Sequence, residues 1–324
     1  MTNMELPEKI RFDASLPLAK DLMDRVLLQS DEPFAGIMRH LTASSGKNFR
    51  SLLVLAAAAD QEGFVPRDAV TTAAALEILH LATLVHDDVI DDAETRRGKL
   101  SVQRRFGKTS AVLCGDYLFC KCFLMTAEIS KKYENRFVDV ARMMTRICTG
   151  ELRQYQHNGD ASLSVHGYFR IIAGKTSALF ALALYAGATL GGYGEKEVRL
   201  LAQLGYYIGI IFQLEDDCID YQSDAATARK NVQHDLSEGV VTLPLIFAIA
   251  KKPQIRQELR DFNLSADECR AVISEVCSLG GVRMTLDVAG RYYEKARKVL
   301  DRFPDEKKRA LLRPILEQIR SRKY

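Results

Sequence analysis

The 324-residue chain has little excess charge of either sign: 45 Lys and Arg against 42 Asp and Glu leave +3. That balance argues against nucleic acid or an anionic membrane as a partner. Prolines are few, eight in all, and fall at element boundaries. Strand signals are nearly absent, with no run of alternating β-branched and polar residues bounded by turns. The seven cysteines lack any CxxC spacing, and Cys120 and Cys122 stand too close for a zinc arrangement. They read as reduced apolar fillers, which points to a reducing compartment. No apolar stretch approaches the roughly 20 uncharged residues of a spanning helix. The opening MTNMELPEKIRFD is not a basic-then-apolar leader. The expectation is a cytoplasmic protein without a transmembrane segment.

What the sequence does have is helical periodicity. Segments 67–92, 102–130, 135–157, 162–190 and 195–221 carry apolar residues at three- and four-residue spacing. Several are apolar almost all round, as in AAALEILHLATLV and TSALFALALYAGATL, which marks helices buried inside a large bundle. Short polar breaks such as Asn158-Gly159-Asp160 separate them, and none is long enough for a linker. The expected architecture is all-α, one bundle of about a dozen helices spanning 1–324 as a single domain.

Two acidic clusters interrupt this apolar pattern. In Leu84-Val-His-Asp87-Asp88-Val-Ile-Asp91-Asp92, Asp87 and Asp91 are one helical turn apart on one face. Asp88 and Asp92 repeat the spacing on the adjoining stripe. The pattern recurs in Phe212-Gln-Leu-Glu-Asp216-Asp217-Cys-Ile-Asp220-Tyr221. Like charges at this spacing repel, so a cation is their natural counterweight. Carboxylates without partner cysteines favour hard ions, and Mg²⁺ suits best because it binds through one or two carboxylates plus water and phosphate.

Cations flank both clusters. Thr95-Arg96-Arg97-Gly98-Lys99 follows the first, and paired arginine forks match diphosphate oxygens. Lys175, in Gly174-Lys175-Thr176 within apolar helix, needs an anion or a route to solvent. That Gly-Lys-Thr is not a P-loop, since Phe169 stands where a glycine is required and no strand precedes it. Lys230 follows the second cluster, and Lys47 and Arg50 sit three apart at the head of another apolar helix. His80 lies two turns before Asp87 on nearly the same face. On its own, such a histidine reads as a core residue.

Together DDVID with its RRG, the internal GKT, FQLEDDCID and DLSEGVVTLP resemble the trans-prenyltransferase, or polyprenyl diphosphate synthase, family. The matching features run in the family's order from about 46 to 244, and two DDxxD motifs make the resemblance specific. It implies an isoprenoid-synthase bundle with a central cavity, usually dimeric, that condenses isopentenyl diphosphate with an allylic diphosphate. Three Mg²⁺ would be held mainly by Asp87, Asp91 and Asp216, with Asp88, Asp217 and Asp220 in support. Arg96, Lys175, Thr176, Gln213 and Lys230 would hold the allylic diphosphate. Lys47, Arg50, His80 and Arg97 would hold isopentenyl diphosphate. The chain departs from the family at Asn48 and Val240, where basic residues are usual, and at Glu215, usually apolar.

The positions just before Asp87 point where a growing tail must go, and bulky aromatics there stop growth early in the family. Here they are Ala82 and Thr83, with Leu79 a turn further on. Small side chains there imply a product longer than about fifteen carbons, of about thirty to forty, because the tail can run on down the cavity away from the metals. Two other readings stay open. A subunit of a heteromeric synthase would explain the missing cations. A class I terpene cyclase would share the fold and metal, but would carry a different second motif.

Overall fold

The computed structural model describes residues 6–43, 48–133, 137–222, 236, 238–259, 262 and 264–321, excepting the side chains of 137–139 and 220. A short strand β1 (Lys9–Arg11) pairs antiparallel with β2 (Phe64–Pro66), with Ile10 opposite Val65. Between them run α1 (Phe12–Leu28), α2 (Glu32–Thr42) and α3 (Phe49–Ala58). Then come α4 (Arg67–Ile90), a hairpin of β3 (Thr95–Arg96) and β4 (Lys99–Leu100), α5 (Val102–Phe106) and α6 (Lys108–Lys132). Next are α7 (Phe137–His157), α8 (Val165–Ile172), a π-helical turn (Ala173–Ser177), α9 (Ala178–Leu190) and α10 (Glu195–Gln222). The chain continues through α11 (Leu243–Lys251), α12 (Ile255–Glu258), α13 (Ala266–Ser278), α14 (Gly281–Asp301) and α15 (Glu306–Arg320).

The all-α expectation holds, with strands confined to two short pairs among the described residues. Two expected helices are interrupted. Gly107, at φ 93, parts the 102–130 segment into α5 and α6; only glycine adopts that backbone without strain. The 162–190 segment begins at Val165 and widens into a π turn at Ala173.

Packing divides the chain into two compact units. The first comprises Met1–Asp139, Ala183–Leu201 and Asp305–Leu312. In it α4 packs against α6, α3 and α1. Helix α3 is buried from Leu53 through Ala58, and the Ser51 hydroxyl donates to the Ala73 carbonyl of α4 at 2.9 Å. A buried lysine closes the far end of α3: Lys308 Nζ donates to the carbonyls of Ala56, Ala57 and Ala59 at 2.8, 2.8 and 2.5 Å. A cation there satisfies carbonyls that the helix end leaves open and complements its dipole. The second unit comprises Val140–Leu182, Ala202–Pro304 and Arg313–Tyr324. Its core gathers Tyr168 and Ile172 of α8, Ile210 and Leu214 of α10, Leu245 of α11 and Val276 of α13.

By length and composition, Arg67–Ile90, Lys108–Lys132 and Val165–Leu190 are long and apolar enough to cross a membrane, which corrects the expectation from uncharged runs alone. Helices inside a bundle need the same composition as spans. In the fold 56%, 28% and 78% of their apolar windows are buried, so α6 is the least enclosed of the three.

Candidate active site

The first aspartate cluster sits where α4 ends. The helix supplies no basic residue to its last turn, so its negative dipole end coincides with Asp87 and Asp91. The Asp91 backbone N–H donates to the Asp87 carbonyl at 2.8 Å, which closes that turn, and both residues are partly exposed. Asp92 departs from the expected second stripe. It takes φ 46, leaves the helix, and lies 2.8 Å from Lys108. Asp88 is 3% exposed and accepts from Arg96 Nε at 2.8 Å and Nη2 at 2.5 Å, both on Oδ1. Burial raises the Asp88 carboxyl above its usual range, and the Arg96 guanidinium opposes that rise.

The two arginines lie beyond the end of α4. They belong to the β3–β4 hairpin, whose turn residues Arg97 and Gly98 have φ 52 and 76. Positive φ at both central positions is the type I′ pattern, matched to strand twist. The turn sends the neighbours apart: Arg96 to Asp88, and Arg97 to a small cavity of about 40 Å³. That cavity is also lined by Lys20, Asp24, Asn48, Glu77 and His80. Burial, then Arg50, Arg97 and Arg96, hold the His80 imidazole well below its usual value, so it is neutral at pH 7. Glu77 was not anticipated from the sequence. Its Oε1 accepts from the Ser51 N–H at 3.1 Å, in the first turn of α3. Its only trace is the Glu-x-x-His spacing with His80 on α4. Lys47 and Lys230 lie outside the described residues.

The second cluster lies on α10 in the second unit. Asp217 is 6% exposed and both its oxygens are taken. Tyr168 OH donates to Oδ2 at 2.6 Å, and Gln213 Nε2 donates to Oδ1 at 2.8 Å. The Thr176 hydroxyl donates in turn to Gln213 Oε1 at 2.6 Å. Asp216 is partly exposed, and the Asp220 side chain lies outside the described set. Lys175 Nζ stands 2.8 Å from Glu151 Oε2 of α7. The π turn carrying Lys175 passes α7 backbone to backbone: a Cβ on Gly150 would meet Lys175 N at 2.3 Å. Such single π turns accommodate one extra residue where a helix is locally displaced. Glu215, the departure noted above, is 5% exposed and pairs with Arg320 at the end of α15.

Of the residues expected to set product length, Leu79 and Ala82 are enclosed, at 1% and 0% exposure. Thr83 is partly exposed, its hydroxyl donating to the His80 carbonyl at 2.8 Å.

The donor chemistry fits Mg²⁺. Among the described residues no three His, Cys, Asp or Glu groups converge into a ready-made metal cage. A carboxylate pair at a negative helix end leaves most coordination positions to water and phosphate oxygens, which is how Mg²⁺ is ordinarily held.

An all-α chain with two paired-aspartate clusters, the first met by Arg96 and Lys108, suits diphosphate chemistry, and its relatives say which kind. The model of the family described as polyprenyl synthetase matches residues 31–279. Heptaprenyl diphosphate synthase component 2 of Bacillus subtilis (strain 168) is 31% identical over 94% of this chain and 88% of its own length. The crystal structure of heptaprenyl diphosphate synthase from Staphylococcus aureus superposes with a TM-score of 0.90 at 26% identity, over 97% of this chain and 99% of that one. A polyprenyl synthase from Caulobacter crescentus CB15, complexed with calcium and isoprenyl diphosphate, gives 0.86 at 32% identity, over 96% of each chain. The chain belongs to the polyprenyl synthetase family: it is a prenyltransferase, a polyprenyl diphosphate synthase.

Proposed function

We propose that this synthase elongates an allylic diphosphate with isopentenyl diphosphate, Mg²⁺-dependently, to a product of about thirty to forty carbons, the range that small side chains beside the channel permit. The observation that carries the site assignment is common to both clusters. In each, the second aspartate is buried and engaged by neighbours, while the first stays partly exposed. Asp87 and Asp216 are therefore assigned as metal-facing carboxylates together with Asp91, with Asp88 and Asp217 behind them and Asp220 in support. Bound there, Mg²⁺ would neutralise diphosphate charge and make it a better leaving group.

The residues' own tasks follow from their chemistry. Lys175 and Arg96, with Lys230, hold the allylic diphosphate and stabilise charge as the C–O bond breaks and its electron pair leaves with diphosphate. Arg50, Arg97 and Lys47 hold isopentenyl diphosphate, and neutral His80 donates one N–H to it. The isopentenyl double bond attacks the allylic cation, forming the new C–C bond. The resulting cation then loses a proton to the departed diphosphate, leaving a chain one isoprene unit longer. Apolar walls keep water from the cation.

The test is incubation of purified protein with Mg²⁺, isopentenyl diphosphate and allylic primers of several lengths, reading products by mass. Lengthening in isoprene steps that depends on both substrates is expected; primer consumption without isopentenyl diphosphate would instead mark a cyclase. A second reading, a subunit of a heteromeric synthase, is favoured by the Bacillus relative, which is a component 2. Elongation by the chain alone, as a homodimer, rules that reading out.

A further inference from the structure

Tyr168 belongs to no motif and is nonetheless enclosed against the second cluster, at 3% exposure. Its hydroxyl begins a chain of hydrogen bonds through Asp217 and Gln213 to Thr176, at 2.6, 2.8 and 2.6 Å. The polarity of this chain is fixed. An ionised carboxylate only accepts, so Asp217 requires the Gln213 amide to present its NH₂, which leaves the amide oxygen toward Thr176. The Thr176 hydroxyl must then donate to that oxygen, and its one hydrogen is spent.

Thr176 therefore has no hydrogen left for a phosphate oxygen, which also only accepts. Its place in the chain is structural in a specific sense. It ties the π turn, and with it the neighbouring Lys175, to α10 beside Asp216. We propose that Tyr168 is a positioning residue for the allylic diphosphate. It anchors Asp217, and through Gln213 and Thr176 it fixes the turn that aims Lys175. This rests on the assignment of Lys175 and Asp216 to the allylic site.

Tyr168→Phe removes only the hydroxyl. Outer-shell partners of this kind typically contribute about 10–100-fold to affinity or activity. The expected result is a fall of that size in kcat/KM for the allylic substrate, with KM for isopentenyl diphosphate changed by less than about twofold, because the Tyr168 chain touches none of its proposed ligands. Calorimetric titration with an unreactive allylic thiodiphosphate should show the same loss in binding. Thr176→Val should reproduce the effect, Thr176→Ser should spare it, and the double variant Tyr168→Phe, Thr176→Val should lose no more than the worse single change, since residues in one network are non-additive. Independent, multiplying losses overturn the proposal, as does a loss shared equally by both substrates. The Thr176 series keeps the question open to refutation even if Tyr168→Phe fails to fold. Asp216→Ala separates the two levels. If it retains turnover, the site assignment and the proposal both fall; if it abolishes turnover while Tyr168→Phe behaves as the parent, only the Tyr168 proposal falls.

Discussion

Gly150→Ala is the sharpest probe of how α7 and the π turn share space. A Cβ at that position would lie 2.3 Å from Lys175 N, 2.6 Å from Gly174 C and 2.8 Å from Gly174 Cα. All three neighbours are backbone, so no side chain can swing away. Reaching ordinary contact at 3.4 Å requires the π turn and α7 to part by about 1.1 Å. Overpacking of this kind costs about 1–3 kcal/mol, against which alanine returns about 0.5–1 kcal/mol of helix preference. The net change is a modest loss of stability. The functional effect is larger, because a misplacement of about 1 Å near the reacting centre can cost about a hundredfold in rate.

The same exchange at Gly290 of α14 is the control, since nothing lies within 4 Å of its added Cβ. Gly290→Ala should gain about 0.5–1 kcal/mol and leave turnover unchanged. Urea unfolding and initial rates of isopentenyl incorporation, measured on both variants, give the comparison. If Gly150→Ala unfolds at or above the parent's urea midpoint and elongates within about twofold of its rate, the backbone contact does not position Lys175 and the reasoning fails.

Three further outcomes follow from the same geometry. Arg320→Met should destabilise by about 2 kcal/mol, because it takes a guanidinium away from the buried Glu215 carboxylate, and adding Glu215→Leu should recover most of it; an unchanged urea midpoint in the single variant would contradict this. His80 is held neutral in the fold while the unfolded chain protonates near the ordinary imidazole value of about 6.5, so acid favours unfolding below that pH. Stability should fall between pH 7 and 5, more steeply for the parent than for His80→Gln, and parallel profiles would refute the assignment. Thr83→Phe, at the partly exposed position next to the enclosed Ala82, should shorten the products read by mass; unchanged products would mean the tail runs elsewhere.

The helices were legible because burial on every side writes an apolar sequence, and 67–92 and 195–221 became α4 and α10 almost to the residue. The aspartate spacing was legible for the same reason, since a charge repeated every four residues inside such a run is conspicuous. What stayed hidden depends on backbone detail or distance. Arg96 and Arg97 are adjacent in sequence, but the positive φ of Arg97 and Gly98 directs them to different partners. The Gly150–Gly174 contact and the π turn it accompanies leave no periodic mark. Glu215 and Arg320 stand 105 positions apart, and neither announces the other. Glu77 and Tyr168 look like ordinary helix residues until the groups they serve are in place.

The doubling of aspartate in each cluster now has a physical account. Adjacent residues on a helix point about 100° apart, so a pair at the edge of the core sends one carboxylate inward and one outward. The inward one must be partnered, because an unpaired buried carboxylate is costly. Asp88 is met by a cation, Arg96, whereas Asp217 is met by the neutral donors Tyr168 and Gln213. The two clusters therefore hold the inward carboxylate differently, one with a guanidinium and the other with a hydroxyl and an amide.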